Sequence, residues 1–338
     1  MYNYYPGNYP YAPPPQPSPE QVAKKQLRSD GNFVGVTMLF FIAASQLAFT
    51  IIVVLLVMLG VLPRENLMLE FLGLDNTTYL LVYAGVFTLN MTVPALLAAA
   101  FCRRVRNPFS PVKPVPGGMI VLGIIGGVGV CMISNIVTTY LKMYLENIGV
   151  PMPEFPQLME NTWTSFGLNL LVIAVLPAVL EEMVFRGFVL QSLRRHGDGF
   201  AVFISALLFG LMHGNIVQVP FAFMVGLVIG WLYVVTDNIW IPILVHFFNN
   251  ALSVCMEFIA YDMSDYTANW FYSLCIYGLA FVGGVALLSL ILFYHRQLKA
   301  KPYDRTLTFG QRLGTLMKTP TFVISLIIFL ILIGKELI

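Results

Sequence analysis

Long apolar stretches alternate with short polar connections along most of this chain. A membrane-spanning helix needs about 20 predominantly apolar residues. Runs of this kind lie at about 34–62, 78–101, 117–141, 165–190, 199–213, 217–235, 239–260, 270–294 and 320–337. The pattern predicts an all-α, polytopic transmembrane helix bundle of about eight or nine spans. The fifth run is short, so the fifth and sixth runs form either two crossings or one re-entrant pair.

The first residues have a different composition from the rest. They read MYNYYPGNYPYAPPPQPSPE, in which Tyr alternates with Pro and Gly. Such a segment has little aliphatic surface to bury and few backbone donors for regular structure. We expect residues 1–32 to be a disordered tail, with a partner-binding tail as the alternative. The remaining units are N-terminal spans over 33–160, a core over 161–260 and C-terminal spans over 261–338.

Composition excludes two large classes of protein. Of the 338 residues, 58% are hydrophobic and only 11% are charged, whereas a soluble domain has about 45–50% apolar and about 25% charged residues. The mean hydropathy is +0.77. A soluble fold could not bury so much apolar side chain. A formal net charge of +2 offers no basic face for phosphates, so nucleic-acid binding is excluded too.

The distribution of Lys and Arg predicts the orientation in the membrane. If the N-terminus is cytoplasmic and the spans alternate, most basic residues fall in cytoplasmic connections, as the positive-inside rule requires. These residues are Arg103, Arg104, Arg106, Lys113, Arg194, Arg195, Arg296, Lys299, Lys301, Arg305, Arg312 and Lys318. Only Arg64 and Lys335 fall clearly outside. Compact cytoplasmic loops and the lack of a signal sequence favour a bacterial plasma membrane over a eukaryotic endomembrane.

Ionisable residues inside apolar runs are costly and usually functional. The fourth run reads LPAVLEEMVFRGFVLQSL and contains Glu181, Glu182 and Arg186. Glu182 and Arg186 are four residues apart on one helix face, which predicts an ion pair. Glu181 is rotated by about 100° from Glu182, so it lacks Arg186 as a same-face partner. The structural alternative is an ion pair that only fixes helix packing.

Two histidines extend this polar set. His213 ends the fifth run, with Phe209 four residues before it, and the seventh run places His246 four residues before Asn250. A carboxylate beside two imidazoles can bind a divalent ion or deprotonate a water molecule. An Asn side chain can donate to a developing oxyanion. No Ser or Cys accompanies a histidine at a useful spacing, so hydrolysis by activated water is the chemistry that uses every residue.

Three ordered motifs carry a family resemblance. They are EExxxR at residues 181–186, FxxxH at residues 209–213 and HxxxN at residues 246–250. Together they resemble the CPBP family of intramembrane proteases, which includes type II CAAX prenyl endopeptidases and bacterial Abi proteins. The resemblance covers roughly residues 165–255. It implies an endopeptidase that acts on membrane-associated or lipidated, CAAX-like proteins. Two alternatives are an ion-coupled transporter and a non-proteolytic bacteriocin-immunity scaffold.

The resemblance also implies a role for each motif residue. Glu181 would activate water, and His213 would share that role or hold the water or a metal. His246 and Asn250 would stabilise the oxyanion. The supporting residues would be Glu182, Arg186 and Phe209.

Metal dependence stays open at this point. Glu181, His213 and His246 supply at most three good ligands, which is the number found in an open catalytic zinc site. Against a metal, the HExxH pattern of typical zinc proteases is absent. Depth is a further question, because the run boundaries place His213 deeper than Glu181. We therefore expect the fifth helix to be tilted, bent or re-entrant.

Overall fold

The computed structural model describes residues 16–104, 107–150, 152, 158–298 and 306–335, and this part of the chain is built of helices. One long helical segment, Trp163–His196, is called the composite helix here because α-helical and π-helical turns alternate along it. It contains α4 (Trp163–Asn169), a π segment (Leu170–Val175), α5 (Leu176–Glu182), a second π segment (Met183–Leu190), α6 (Gln191–Leu193) and a 3-10 turn (Arg194–His196). The others are α1 (Pro19–Met58), α2 (Asn76–Phe101), α3 (Gly117–Asn147), α7 (Asp198–Leu211), α8 (Gln218–Thr236), α9 (Trp240–Ala260), α10 (Asp265–Tyr294), α11 (Phe309–Leu316) and α12 (Pro320–Lys335).

The predicted multi-pass helix bundle is confirmed. In the described part of the chain, seven helices are long and apolar enough to cross a membrane, or eight if α11 and α12, bent by 81°, form one span. α7 has 14 residues and is about 21 Å long, shorter than a hydrocarbon core of about 30 Å. The exact number of spans therefore depends on how α7, α11 and α12 are counted.

The prediction of a disordered tail over residues 1–32 is wrong for residues 19–32. These residues form the first turns of α1, while residues 1–15 lie outside the described part of the chain. The interpretation rested on the Tyr/Pro composition of the first twenty residues. That composition ends where the helix begins, and the following residues are mostly good helix formers.

A strong N-terminal cap explains where α1 begins. The backbone N–H of Gln21 donates to the Ser18 hydroxyl oxygen, and the Ser18 N–H donates to the Gln21 side chain. This capping box is followed by Pro19 at the first helical position, where its missing N–H costs nothing. Leu27 and Asp30 on the same helix are buried against the bundle. Capping and burial together order this polar stretch.

Ion pairs hold one end of the bundle together. Asp30 of α1 accepts hydrogen bonds from Arg104 at 2.5 Å and, through its other oxygen, from His196 at 2.7 Å. Asp237, which follows α8, lies 2.6 Å from Arg194. We call this the basic end of the bundle, since Arg195 also lies there, 3.3 Å from Asp30. It contains residues that the charge pattern placed in the cytoplasm.

The α7–α8 hairpin begins and ends at this same basic end. The chain leaves the composite helix at Gly197, whose φ of +117° only glycine adopts readily. α7 then runs into the bundle, the chain turns at Gly214, with φ of +69°, and α8 returns to Asp237. The other connections therefore keep their sides of the membrane whether the hairpin crosses it or re-enters.

α8 also packs in both apolar cores. One core is shared with α1, α2, α7 and α12, and the other with α3 and α10.

Candidate active site

Counting residues from the basic end places Glu181 and His213 at similar depth in the bundle. Each is sixteen residues from Gly197, one before the turn and one after it. The expected difference in depth came from ending the fourth span near residue 190, whereas the composite helix continues to His196. It continues because its polar residues are paired: Gln191 donates to the Tyr233 hydroxyl at 2.5 Å. The expectation that the fifth helix is tilted, bent or re-entrant stays a prediction, but it is no longer required to bring His213 level with Glu181.

The predicted ion pair between Glu182 and Arg186 is present and fully buried. Arg186 Nη1 donates to Glu182 Oε1 at 3.0 Å, and both side chains have 0% exposure. Arg186 Nη2 donates to the Gly226 carbonyl at 3.2 Å, and the guanidinium lies 4.6 Å from the centroid of the Phe209 ring. A Cβ at Gly226 would be 3.0 Å from the Ala206 Cα, so glycine permits the close approach of α8 to α7.

Glu182 also orients His246, which the sequence did not predict. The Nδ1–H of His246 donates to the same Glu182 Oε1 at 3.0 Å. A carboxylate that binds one imidazole nitrogen fixes both the tautomer and the ring direction. The other nitrogen, Nε2, then faces Glu181 at 3.9 Å from Oε2. Arg186, Glu182 and His246 thus form one chain of buried contacts that ends at Glu181.

Among the residues of this site, the Glu181 carboxylate is the candidate for binding and activating water. Its side chain is buried, and among the described residues Oε2 has no hydrogen-bond partner. Buried polar atoms are nearly always bonded, so an orphaned carboxylate oxygen points to a water molecule or a substrate group as its partner. Glu181 is also within electrostatic range of His213 and of Tyr83 in α2. Tyr83 was not predicted, since a Tyr in an apolar run gives no signal of its own.

Phe209 connects His213 to the rest of the site. Its ring lies 5.2 Å from that of His213 and 5.9 Å from that of His246, edge-on in both cases. The predicted contact between Phe209 and His213 is therefore present. The Nδ1–H of His213 donates to the Phe209 carbonyl at 2.8 Å. In neutral His213, Nε2 is left as an acceptor that can bind a water proton.

Asn250 is held by two hydrogen bonds. Its Nδ2 donates to the Ile173 carbonyl at 2.8 Å, and its Oδ1 accepts from the Asn249 Nδ2 at 2.9 Å. Ile173 lies four residues before Pro177, which has no N–H to donate to that carbonyl. One of the two amide hydrogens of Asn250 thus satisfies a carbonyl left free by proline. Its predicted contact with an oxyanion would need the second hydrogen and stays a prediction.

The metal hypothesis has only partial geometric support. Glu181 Oε2 and His246 Nε2 are close enough to share an ion, since zinc bonds to such atoms are about 2.0–2.2 Å long. No group of three or more His, Cys, Asp or Glu side chains within the described ranges is arranged to hold a metal. Glu181, His213 and His246 therefore do not form a three-ligand set in this conformation. Zinc dependence stays an untested prediction.

Comparison with known proteins identifies the same part of the chain. Residues 163–252 match a family model described as type II CAAX prenyl endopeptidase Rce1-like. A protein of Bacillus subtilis (strain 168) named "Putative membrane peptidase YdiL" is 26% identical over 141 residues, which are 41% of this chain and 57% of that protein. The match thus spans little more than half of that relative's length. No solved structure matches the chain at a significant level. Residues 163–252, which contain all three motifs, therefore resemble type II CAAX prenyl endopeptidases of the Rce1-like family, as their motifs predicted.

Proposed function

We propose that this protein is an intramembrane endopeptidase that hydrolyses a peptide bond of a membrane-associated protein with water activated by Glu181. One observation carries the proposal: the unpartnered Oε2 of Glu181 is buried and lies 3.9 Å from the Nε2 of His246. The Rce1-like match and the peptidase-named relative support the same class of reaction.

In this proposal Glu181 is the general base. It takes one proton from the attacking water while His213, through Nε2, accepts a hydrogen bond from the other O–H. The water oxygen bonds to the carbonyl carbon, and the carbonyl oxygen becomes an oxyanion. Glu181 then gives the proton to the leaving nitrogen as the C–N bond breaks. The products are a new carboxyl terminus and a new amine.

His246 and Asn250 would stabilise the oxyanion. With a proton on each ring nitrogen, His246 would donate through Nδ1 to Glu182 and through Nε2 to the oxyanion. Glu182 and Arg186 would act through His246 rather than on the substrate. Their 3.0 Å contacts hold the imidazole in place, and a donor held in place before the reaction needs little reorganisation during it.

The substrate we propose is a lipidated or otherwise membrane-tethered protein with a CAAX-like C-terminus, a class that the family description supports. We propose a multi-pass protein of a bacterial plasma membrane with a cytoplasmic N-terminus. The basic end, with Arg104, Arg194 and Arg195 near Asp30 and Asp237, would then face the cytoplasm. The alternative is water activated by zinc, which Glu181, His213 and His246 would hold only after a rearrangement, since they form no three-ligand set in this conformation.

The test uses purified protein in lipid vesicles with a library of membrane-anchored peptides. Wild type is compared with Glu181→Ala and with Glu257→Ala, a matched control that removes a half-buried glutamate farther along α9. Mass spectrometry identifies the cleavage products. We expect wild type and Glu257→Ala to cleave the same peptides and Glu181→Ala to cleave none. Identical cleavage by wild type and Glu181→Ala would refute the proposal and favour a transporter or an immunity scaffold.

A further inference from the structure

A buried serine of α7 bonds to the backbone of the composite helix. Ser205 is 1% exposed, and its hydroxyl donates to the Phe185 carbonyl at 2.8 Å. It lies four residues before Phe209 and eight before His213, so these three side chains share one face of α7. Ser205 belongs to none of the three motifs, and the proposed mechanism gives it no role.

The carbonyl that Ser205 binds lies in the second π segment, Met183–Leu190. Turns of π-helix are rare and are often found at functional sites. Both π segments of the composite helix accept a hydrogen bond from a side chain of another helix. Asn250 of α9 donates to the Ile173 carbonyl in the first segment, and Ser205 of α7 donates to the Phe185 carbonyl in the second. Each bond therefore joins a π turn to a neighbouring helix.

Two further contacts hold the second π segment in place. The Phe185 ring lies 5.2 Å from the Phe209 ring, edge-on, so Phe185 contacts α7 through both its carbonyl and its ring. Two residues later, Gly187 lies so close to the connection before α3 that a Cβ would collide with the Pro108 carbonyl oxygen. The segment is therefore packed between α7 and this connection, and a rotation of the segment would disturb both contacts.

The second π segment carries Arg186, the residue that follows Phe185. Arg186 donates to Glu182 Oε1 at 3.0 Å, and His246 Nδ1 donates to that same oxygen at 3.0 Å. A π turn closes with bonds between residues i and i+5 instead of i and i+4. If the turn relaxed to α-helix, the side chains on it would rotate about the helix axis, and Arg186 would move away from Glu182. The position of the carboxylate that orients His246 therefore depends on the π turn.

We propose that Ser205 is a positioning residue, which stabilises the π turn at Phe185 and so keeps the imidazole of His246 in place. It acts through the buried pair of Arg186 with Glu182. Ser205 itself takes no part in the reaction, because its one hydroxyl hydrogen is donated to the Phe185 carbonyl. For its effect on cleavage the inference rests on the proposed function, whereas its effect on His246 is independent of any activity.

The effect on His246 is tested by ¹⁵N NMR of the histidines. The chain has four histidines, so labelling this residue type in the full chain in detergent micelles gives few signals, and His246→Gln identifies the signal of His246. We expect wild type to show a slowly exchanging Nδ1–H on His246, because this group is buried and bonded to Glu182. Ser205→Ala should lose the signal. Ser134→Ala should keep it, since Ser134 is an equally buried control whose hydroxyl donates to a carbonyl of its own helix, α3.

The effect on catalysis is tested by cleavage kinetics in lipid vesicles. Ser205→Ala should lower kcat by about 10–100-fold with KM nearly unchanged, since small displacements of catalytic groups slow the chemical step. Ser134→Ala should match wild type. Ser205→Cys is close to serine in shape but has only a weak donor. It should change the NMR signal and kcat in the same direction, and it replaces the alanine variant if that variant does not fold.

Three results would overturn the inference. The Nδ1–H signal of His246 could persist in both Ser205 variants, the loss of activity could fall on KM instead of kcat, or Ser134→Ala could lose the signal and kcat as well. The two proposals fail in different ways. If Ser205→Ala loses the signal while wild type cleaves no peptide, the positioning role stands and the protease proposal fails. If wild type cleaves and the Ser205 variants keep both the signal and kcat, the protease proposal stands and the positioning role is wrong.

Discussion

Replacing Asn250 with alanine should cost much less stability in a Pro177→Ala background than in wild type. Pro177 cannot donate to the Ile173 carbonyl, and Asn250 Nδ2 supplies that hydrogen bond at 2.8 Å. Asn250→Ala leaves the carbonyl without a partner in an apolar surrounding. With alanine at position 177, a backbone N–H four residues after Ile173 becomes available, and an α-helical bond to that carbonyl can replace the amide when the π turn relaxes to α-helix. The two substitutions should therefore not be additive.

The size of the effect follows from one hydrogen bond. Leaving a buried acceptor unpaired costs about 1–3 kcal/mol, and hydrogen bonds between membrane helices lie toward the lower part of that range. Asn250→Ala alone should therefore lower the free energy of unfolding by an amount in the lower part of that range. In the Pro177→Ala background the cost should fall by at least about 1 kcal/mol, which is within the usual coupling of contacting residues.

Unfolding of the four proteins by sodium dodecyl sulfate in mixed micelles measures this coupling. Ser253→Ala is the matched control, because Ser253 lies on the same helix and, among the described residues, its hydroxyl bonds to the Asn249 carbonyl alone, at 3.5 Å. Its effect should add to that of Pro177→Ala. Equal costs of Asn250→Ala in both backgrounds would refute the role assigned to the amide.

The same variants separate a structural role of Asn250 from a role in catalysis. If the second amide hydrogen of Asn250 donates to the oxyanion, Asn250→Ala should lower kcat by about 10²–10³-fold. That loss should be the same with Pro177 or alanine at position 177, because the restored backbone bond cannot reach the substrate. A loss of activity that disappears in the double variant would make Asn250 a residue that only positions the helix.

Three further predictions concern buried charge and metal. Arg186→Met leaves the Glu182 carboxylate buried without its cation and should destabilise the protein by about 3–5 kcal/mol; a variant that is fully stable in detergent but inactive would instead place Arg186 in direct catalysis. Asp30→Asn should cost less, about 1–3 kcal/mol, since Arg104 is 25% exposed, and an unchanged melting temperature would contradict the role of Asp30 at the basic end. Metal analysis of active protein should give less than about one-tenth equivalent of transition metal if Glu181 works alone, whereas about one equivalent of zinc, lost in His213→Ala, would support the zinc site.

Helix periodicity was enough to predict the local contacts of the site. Residues four apart meet on one face of a helix, so the ion pair of Glu182 with Arg186 and the contact of Phe209 with His213 could be read from spacing. Long apolar runs likewise predicted the bundle. Each of these features arises within one helix, so the spacing of residues along the sequence is enough to predict it.

Contacts between helices could not be predicted in the same way. The bond from His246 to Glu182 joins residues 64 positions apart, and periodicity gives no register between separate helices. The composite helix continues past residue 190 to His196, and Gln191 in this stretch is half-buried and paired with Tyr233 on α8. Pro177 did carry a usable signal, since a proline within an apolar run leaves a carbonyl free, but its partner, Asn250, becomes apparent only in the folded chain.

Isotope incorporation tests the central claim most directly. A membrane-anchored peptide that wild type cleaves is incubated in H₂¹⁸O with wild type and with Glu181→Gln, a nearly isosteric change that removes the base. We expect wild type to release an N-terminal product with one ¹⁸O in its new carboxylate. Glu181→Gln should be slower by at least about 10²–10⁴-fold, the usual contribution of a general base. Cleavage by Glu181→Gln at the wild-type rate, with the same incorporation of ¹⁸O, would contradict the account.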